Sequence, residues 1–109
     1  MAIKIKIATD FSKTPGARYY TDGKKSGQEF FETLLDKRFA EAQLENVKLV
    51  VDLDNTDGFA TSFLDEAFHR LADKYSPKVV LDRLEVISND EPDWIEEIKH
   101  YINQDKPKK

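Results

Sequence analysis

Seven residues, Val47-Lys48-Leu49-Val50-Val51-Asp52-Leu53, restrict the fold more than any other stretch of this chain. The run is nearly continuous apolar sequence and rich in valine, whose branched Cβ suits a pleated strand. It is too short for a helix with caps, so it reads as a central strand covered on both faces. A strand of that kind needs neighbours and covering layers, and the flanks offer both. Ile3, Ile5 and Ile7 alternate with Lys4 and Lys6, the period of a strand with one wet face. Its lysines suit a place near a sheet edge. Leu84-Glu85-Val86-Ile87 reads as a third strand.

Helical patterns fill the intervals. Ser26-Gly27-Gln28-Glu29 fits a capping box, and Phe30, Phe31, Leu34, Leu35 and Phe39 follow at helical spacing. Phe63, Leu64, Ala67, Phe68, Leu71, Ala72 and Tyr75 form the cleanest apolar stripe. Asp65, Glu66, His69, Arg70 and Asp73 fall on its other side, with Glu66 and Arg70 one turn apart. Ser62, or its neighbour Thr61, is the expected N-cap. Ser76-Pro77 stops that helix and opens a short helical turn. A last helix begins after a cap at Asn89 or Asp90, with Pro92 just inside, and buries Trp94, Ile95, Ile98, Tyr101 and Ile102. Residues 9–25 are irregular, with Arg18-Tyr19-Tyr20-Thr21 a possible short hairpin strand. The βαβαβα order implies a small α/β fold, with a mostly parallel or mixed sheet and helices packed on it.

At 109 residues the chain has room for a single domain, read as 1–104 with a short basic tail at 105–109. It contains no cysteine, which excludes disulfides and thiolate metal sites. No apolar run is long enough to span a bilayer, and the N-terminus does not read as a signal peptide, so a cytoplasmic domain is the default. The net charge is −4, with the acidity in the second half. A polyanion would need a basic stripe, and none is present, so nucleic acid is not an expected partner.

Three patterns resemble chemistry. Asp52-Leu53-Asp54-Asn55-Thr56 at a strand end matches the Asp-x-Asp-x-Thr motif of haloacid-dehalogenase-like phosphatases, and Val86-Ile87-Ser88-Asn89 is similar to their second motif. The lysine and later acidic pair that such an enzyme needs have no place in the 20 residues after Asn89. A small metal-dependent phosphatase or ligand binder on Asp52 and Asp54 is therefore the alternative reading. Gly23-Lys24-Lys25-Ser26 lacks the spacing of a phosphate loop. His69 and His100 are far apart on polar helix faces, His69 with Asp65 one turn before it as an ordinary surface pair, and no nucleophile–base set can be assembled. No cofactor or metal is implied.

What remains is a carboxylate-rich loop, with Asp54 and Asp57, running through Phe59 into a helix start that bears Thr61, Ser62 and Asp65. A phosphate added to a hydroxyl there would meet the helix amides favourably and the nearby carboxylates unfavourably.

Two blocks carry a family likeness. One comprises Asp10-Phe11-Ser12, Pro15-Gly16-Ala17-Arg18-Tyr19, Asp22-Gly23 and Ser26-Gly27-Gln28-Glu29-Phe30. The other runs from Val51-Asp52-Leu53-Asp54-Asn55-Thr56-Asp57-Gly58-Phe59 into Ser62-Phe63-Leu64-Asp65-Glu66-Ala67-Phe68. On these residues the chain resembles the bacterial STAS-like domain family of unknown function, related in fold to the anti-sigma-factor antagonists. The resemblance implies a STAS-like α/β fold and a non-catalytic regulatory role, possible partner switching included. It implies a protein partner: a histidine-kinase-type ATPase or a transcription regulator. The antagonists' phosphorylated hydroxyl falls at Thr61 and the next hydroxyl at Ser62, with Ala60 in place of their Asp and Phe63 in place of their Gly. The family's own pattern favours Ser62. Asp54, Asp57, Phe59, Asp65 and Arg18 are the candidate partner contacts. Arg18 is expected to brace Asp52 or Asp54 across the loops. The oligomeric state is left open.

Overall fold

The structure is a computed structural model that describes residues 2–104. The tail 105–109 lies outside the described residues. Three strands, β1 (Ala2–Lys6), β2 (Lys48–Asp52) and β3 (Leu84–Ile87), form one parallel sheet in the order β1-β2-β3. The valine-rich run is thus the central strand. Parallel neighbours need crossover connections, and helices supply them. A single turn α1 (Ile7–Asp10) follows β1. Then α2 (Gly27–Phe30), a π-helical turn (Phe31–Leu35) and α3 (Asp36–Glu45) run on as one helical stretch. Between β2 and β3 lie α4 (Thr61–Tyr75) and α5 (Pro77–Arg83), and α6 (Asp93–Asn103) comes last.

Only one face of the sheet is packed. Ile5, Leu49 and Val51 are fully buried, and in register with them Ile3, Leu84 and Val86 join the same core. Phe30, Phe39, Phe63, Phe68, Leu71 and Ile98 press on that side. The other face carries Lys4, Val50 and Glu85 in one row, and Lys6, Asp52 and Ile87 in the next. Lys4, Lys48 and Glu85 are exposed and Val50 is half-buried. The expected cover on both faces is therefore absent, because each of the three strands places an exposed charge, Lys4, Lys48 or Glu85, on the outer face.

Ser26 caps α2 as expected, its Oγ accepting from the Glu29 amide at 3.0 Å. The capping predicted elsewhere is different. Ala60 is the N-cap of α4, with no side-chain cap, so neither Thr61 nor Ser62 serves that role. Pro92 precedes α6, and Asn89 and Asp90 do not cap it. Their amides instead bond Asp54, which folds the segment after β3 into a turn. The predicted strand at Arg18–Thr21 is a bend followed by a 3-10 turn (Tyr20–Asp22). Asp22 forces it by accepting from the Tyr19 amide at 3.2 Å, ahead of Gly23 at φ +152°.

Candidate functional site

In a parallel sheet the loops after the strands gather at one end, where open α/β sheets hold their ligands. Here β1 and β2 end at Lys6 and Asp52, and the bend after β3 carries Asn89 and Asp90. Asp52 is buried, and its Oδ2 lies 3.4 Å from Lys6 Nζ and 3.7 Å from Lys4 Nζ. Its Oδ1 accepts from the Asp54 amide at 2.9 Å. Lys6 Nζ also donates to Asn55 Oδ1 at 2.8 Å.

Asp54 accepts three bonds: from the Asn89 amide (2.7 Å), the Asp90 amide (2.8 Å) and Asn89 Nδ2 (2.9 Å). These donors, the Asp90 amide foremost, hold its carboxyl below the usual range. Asp90 returns the contact by accepting from the Asn55 amide at 2.9 Å. The carboxylates of the phosphatase-like motif are thus braces that tie the β1, β2 and β3 ends together. Asp57 is anchored by its amide, which donates to the Lys13 carbonyl at 2.8 Å. Phe59 is half-buried, with its ring centroid 5.9 Å from Phe63 and 6.2 Å from Trp94. It packs α4 against α6 as much as it faces outward.

Arg18 does not reach Asp52 or Asp54. Its Nη1 lies 3.2 Å from Asp65 Oδ2 and 3.4 Å from Glu66 Oε1, both in the first turns of α4. Glu66, expected on the wet side, is buried and takes a second guanidinium from Arg70. It lies three residues after Phe63, at the margin of the buried stripe, and spacing alone marks it as a border position. Burial works against the charge of Arg18, yet Asp65 and then Glu66 outweigh it and raise its pKa above the ordinary value. Tyr101 of α6 sits in the same electrostatic neighbourhood. Burial, a hydrogen bond with Glu97 and the charge of Asp65 push its phenol to about 12, against a smaller opposing effect of Arg18.

Arg18, Lys24 and Ser62 line one open concavity of ≈ 570 Å³, with Gly16, Ala17, Asp22 and Gly23 as its other walls. Ser62 is half-buried and Thr61 exposed, and neither side chain is spent on capping. One residue beyond Ser62, α4 meets α2 in a close helix contact. A Cβ at Gly27 would sit 2.4 Å from the Phe63 carbonyl oxygen, so only glycine lets α2 approach α4 this closely. A larger concavity, ≈ 610 Å³, opens at the far end of α4 beside His69, whose buried Nδ1 has no hydrogen-bond partner. None of the loop 54–62 residues contributes to it. Among the described residues, no group of three or more His, Asp or Glu is arranged to hold a metal ion, and no helix is long and apolar enough to cross a membrane.

A protein-family model matches residues 26–94, and its description is "STAS-like domain of unknown function (DUF4325)". The chain belongs to that family. The match starts inside the first of the two blocks of likeness and continues past the second to Trp94, so it takes in β2, the loop, α4, α5 and β3. Neither the curated proteins nor the solved structures yield a match. The STAS-like α/β fold therefore rests on the family match and on the parallel sheet with helices packed upon it.

Proposed function

We propose that this STAS-like domain is a non-catalytic regulatory module that binds a protein partner through the loop 54–62 and the start of α4. Partner switching at Ser62 or Thr61 is the mechanism this reading favours. The observation that carries it is the position of Ser62 in an open concavity beside Arg18 and Lys24, at a helix start that no side chain caps. A phosphate on Ser62 would add nearly two negative charges between those cations and the amino end of the α4 dipole. It would also compete with Asp65 and Glu66 for Arg18, and so alter the shape and charge that a partner meets. A histidine-kinase-type ATPase or a linked transcription regulator is the partner class that the family likeness suggests. The phosphatase alternative has less support, because Asp54 spends its oxygens on Asn89 and Asp90.

The test is affinity capture from the native cell with intact mass of the recovered domain, repeated with Ser62→Asp and Thr61→Asp. Both variants should keep the wild-type melting temperature, and at least one should change partner recovery. Unchanged recovery in both removes the loop as the switch.

A further inference from the structure

The segment between α1 and α2 enters the reading so far only through Arg18 and Lys24, yet its surface is unlike the rest of the chain. Residues 11–26 carry Lys13, Arg18, Lys24 and Lys25 against the single carboxylate of Asp22, a local balance of +3 in a chain of net charge −4. Lys13, Lys24 and Lys25 are exposed. Beside them stand Tyr19 and Tyr20, 40% and 48% exposed, two of the few large hydrophobic side chains at the surface. Tyrosine and arginine are the residues that most often anchor protein interfaces.

This surface is preformed. The Gly27 amide donates to the Ala17 carbonyl at 2.7 Å, the Gln28 amide to the Arg18 carbonyl at 3.0 Å, and the Gly16 amide to the Lys25 carbonyl at 3.3 Å. The Tyr20 hydroxyl donates to Glu32 at 3.0 Å. A partner would therefore meet fixed backbone and partly fixed side chains, with little ordering cost.

We infer that residues 13–25, where Lys13, Arg18, Lys24 and Lys25 outnumber Asp22, form the second half of the docking surface, and that they take an acidic segment of a partner protein. The segment would set its carboxylates over Lys24 and the open side of Arg18, and lay an apolar side chain on Tyr19 and Tyr20. This rests on the reading of the loop 54–62 as a contact surface, since Ser62 forms the opposite wall of the same concavity. A protein segment fits better than nucleic acid. The cations are few, Asp22 lines the same concavity, and Asp65 and Glu66 pair with Arg18, so a continuous phosphate backbone would cross like charge on leaving the patch.

The experiment is an NMR titration of the full chain with a short synthetic peptide of Asp and Glu carrying one Phe. A peptide with Lys at every acidic position and a single-stranded oligonucleotide of equal charge serve as the other probes. The acidic peptide should shift amides of 16–24 and 60–63. Lys24→Glu and Tyr20→Ser should each weaken it by about fivefold or more, with unchanged melting temperature. The inference fails if those amides stay still, if the basic peptide or the oligonucleotide binds as well or better, or if dilution of the protein alone moves the same amides, which would mark a self-association face. Ser62→Asp and Thr61→Asp in the same titration separate the two readings. Binding that responds to Lys24→Glu but to neither Ser62→Asp nor Thr61→Asp keeps this surface and removes the switch. A captured partner that responds to Ser62→Asp but not to Lys24→Glu or Tyr20→Ser does the reverse.

Discussion

Replacing Gly27 by alanine tests the contact on which the concavity is built. The added methyl would lie 2.4 Å from the Phe63 carbonyl oxygen, 3.1 Å from Glu66 Cβ and 3.2 Å from the Phe63 carbonyl carbon. Ordinary contact needs about 3.5 Å, so α2 and α4 must separate by roughly 1 Å. The nearest atoms belong to backbone, which cannot rotate away. Overpacking of this kind costs about 1–3 kcal/mol. Alanine recovers part of that, because it restricts the unfolded chain by about 0.4–1 kcal/mol and has the better helix propensity. The net loss should be about 1–2 kcal/mol, a fall of roughly 5–10 °C in melting temperature for a domain of this size. Circular dichroism melts and urea midpoints at neutral pH measure it. Gly16→Ala is the control, since its new methyl would meet nothing nearer than the Thr14 carbonyl oxygen at 4.0 Å. A Gly27→Ala protein as stable as wild type, or more stable, would show that the helices do not approach as described. The position of Ser62 opposite Arg18 would then lose its basis.

Arg18→Ala should cost about 1–2 kcal/mol, since it strips one of two guanidiniums from the buried Glu66 carboxylate. A double-mutant cycle with Glu66→Gln should return a coupling of at least about 0.5 kcal/mol, and additivity would deny the contact. Asp54 has a folded pKa below its ordinary value, so its contribution is present above about pH 4 and is lost as pH falls through the lower folded value. The gap between the urea midpoints of wild type and Asp54→Asn should therefore be wider at pH 6 than at pH 3. An equal gap at both would refute the bracing of Asp54 by Asn89 and Asp90. Tyr75, which burial and its bond to Asp36 raise to about 12, and Tyr101 should ionise last of the four tyrosines in an ultraviolet titration. Because their folded values are raised, they favour folding below about pH 10, and that contribution disappears as pH climbs toward 12. Four phenols titrating together while circular dichroism reports a folded domain would contradict this.

The elements were legible wherever burial repeats along the chain. The run 47–53 is central, β3 falls at the residues expected, and the α4 stripe from Phe63 to Ala72 is buried throughout. The same run misled about its outer face. Lys4 and Lys48 carried the correct signal, for both project away from the core where Val50 also lies. Capping was misread where longer-range partners compete for the same groups. Asn89 and Asp90 have good capping side chains, but their amides satisfy Asp54, 35 and 36 residues away. Arg18 had several carboxylates within conceivable reach, and the choice of Asp65 and Glu66 depends on how loop 16–24 closes on α2. That closure rests on backbone bonds from Gly27 and Gln28, which no side-chain pattern announces.

Ser62 makes one wall of the concavity, and residues from 16–24 make the other, more than thirty residues upstream. Gly27 joins them. Its amide holds the Ala17 carbonyl, and its missing side chain admits the Phe63 carbonyl one residue beyond Ser62. A single residue without a Cβ thus sets both the pose of the basic loop and its distance from the hydroxyls. The ion chain Asp65–Arg18–Glu66–Arg70 spans the same gap by electrostatics. Packing at Gly27 does not respond to charge, whereas the ion chain does. A new anion at Ser62 would therefore act on the second tie and leave the first intact, so the concavity can change its charge and the pose of Arg18 without loss of the fold.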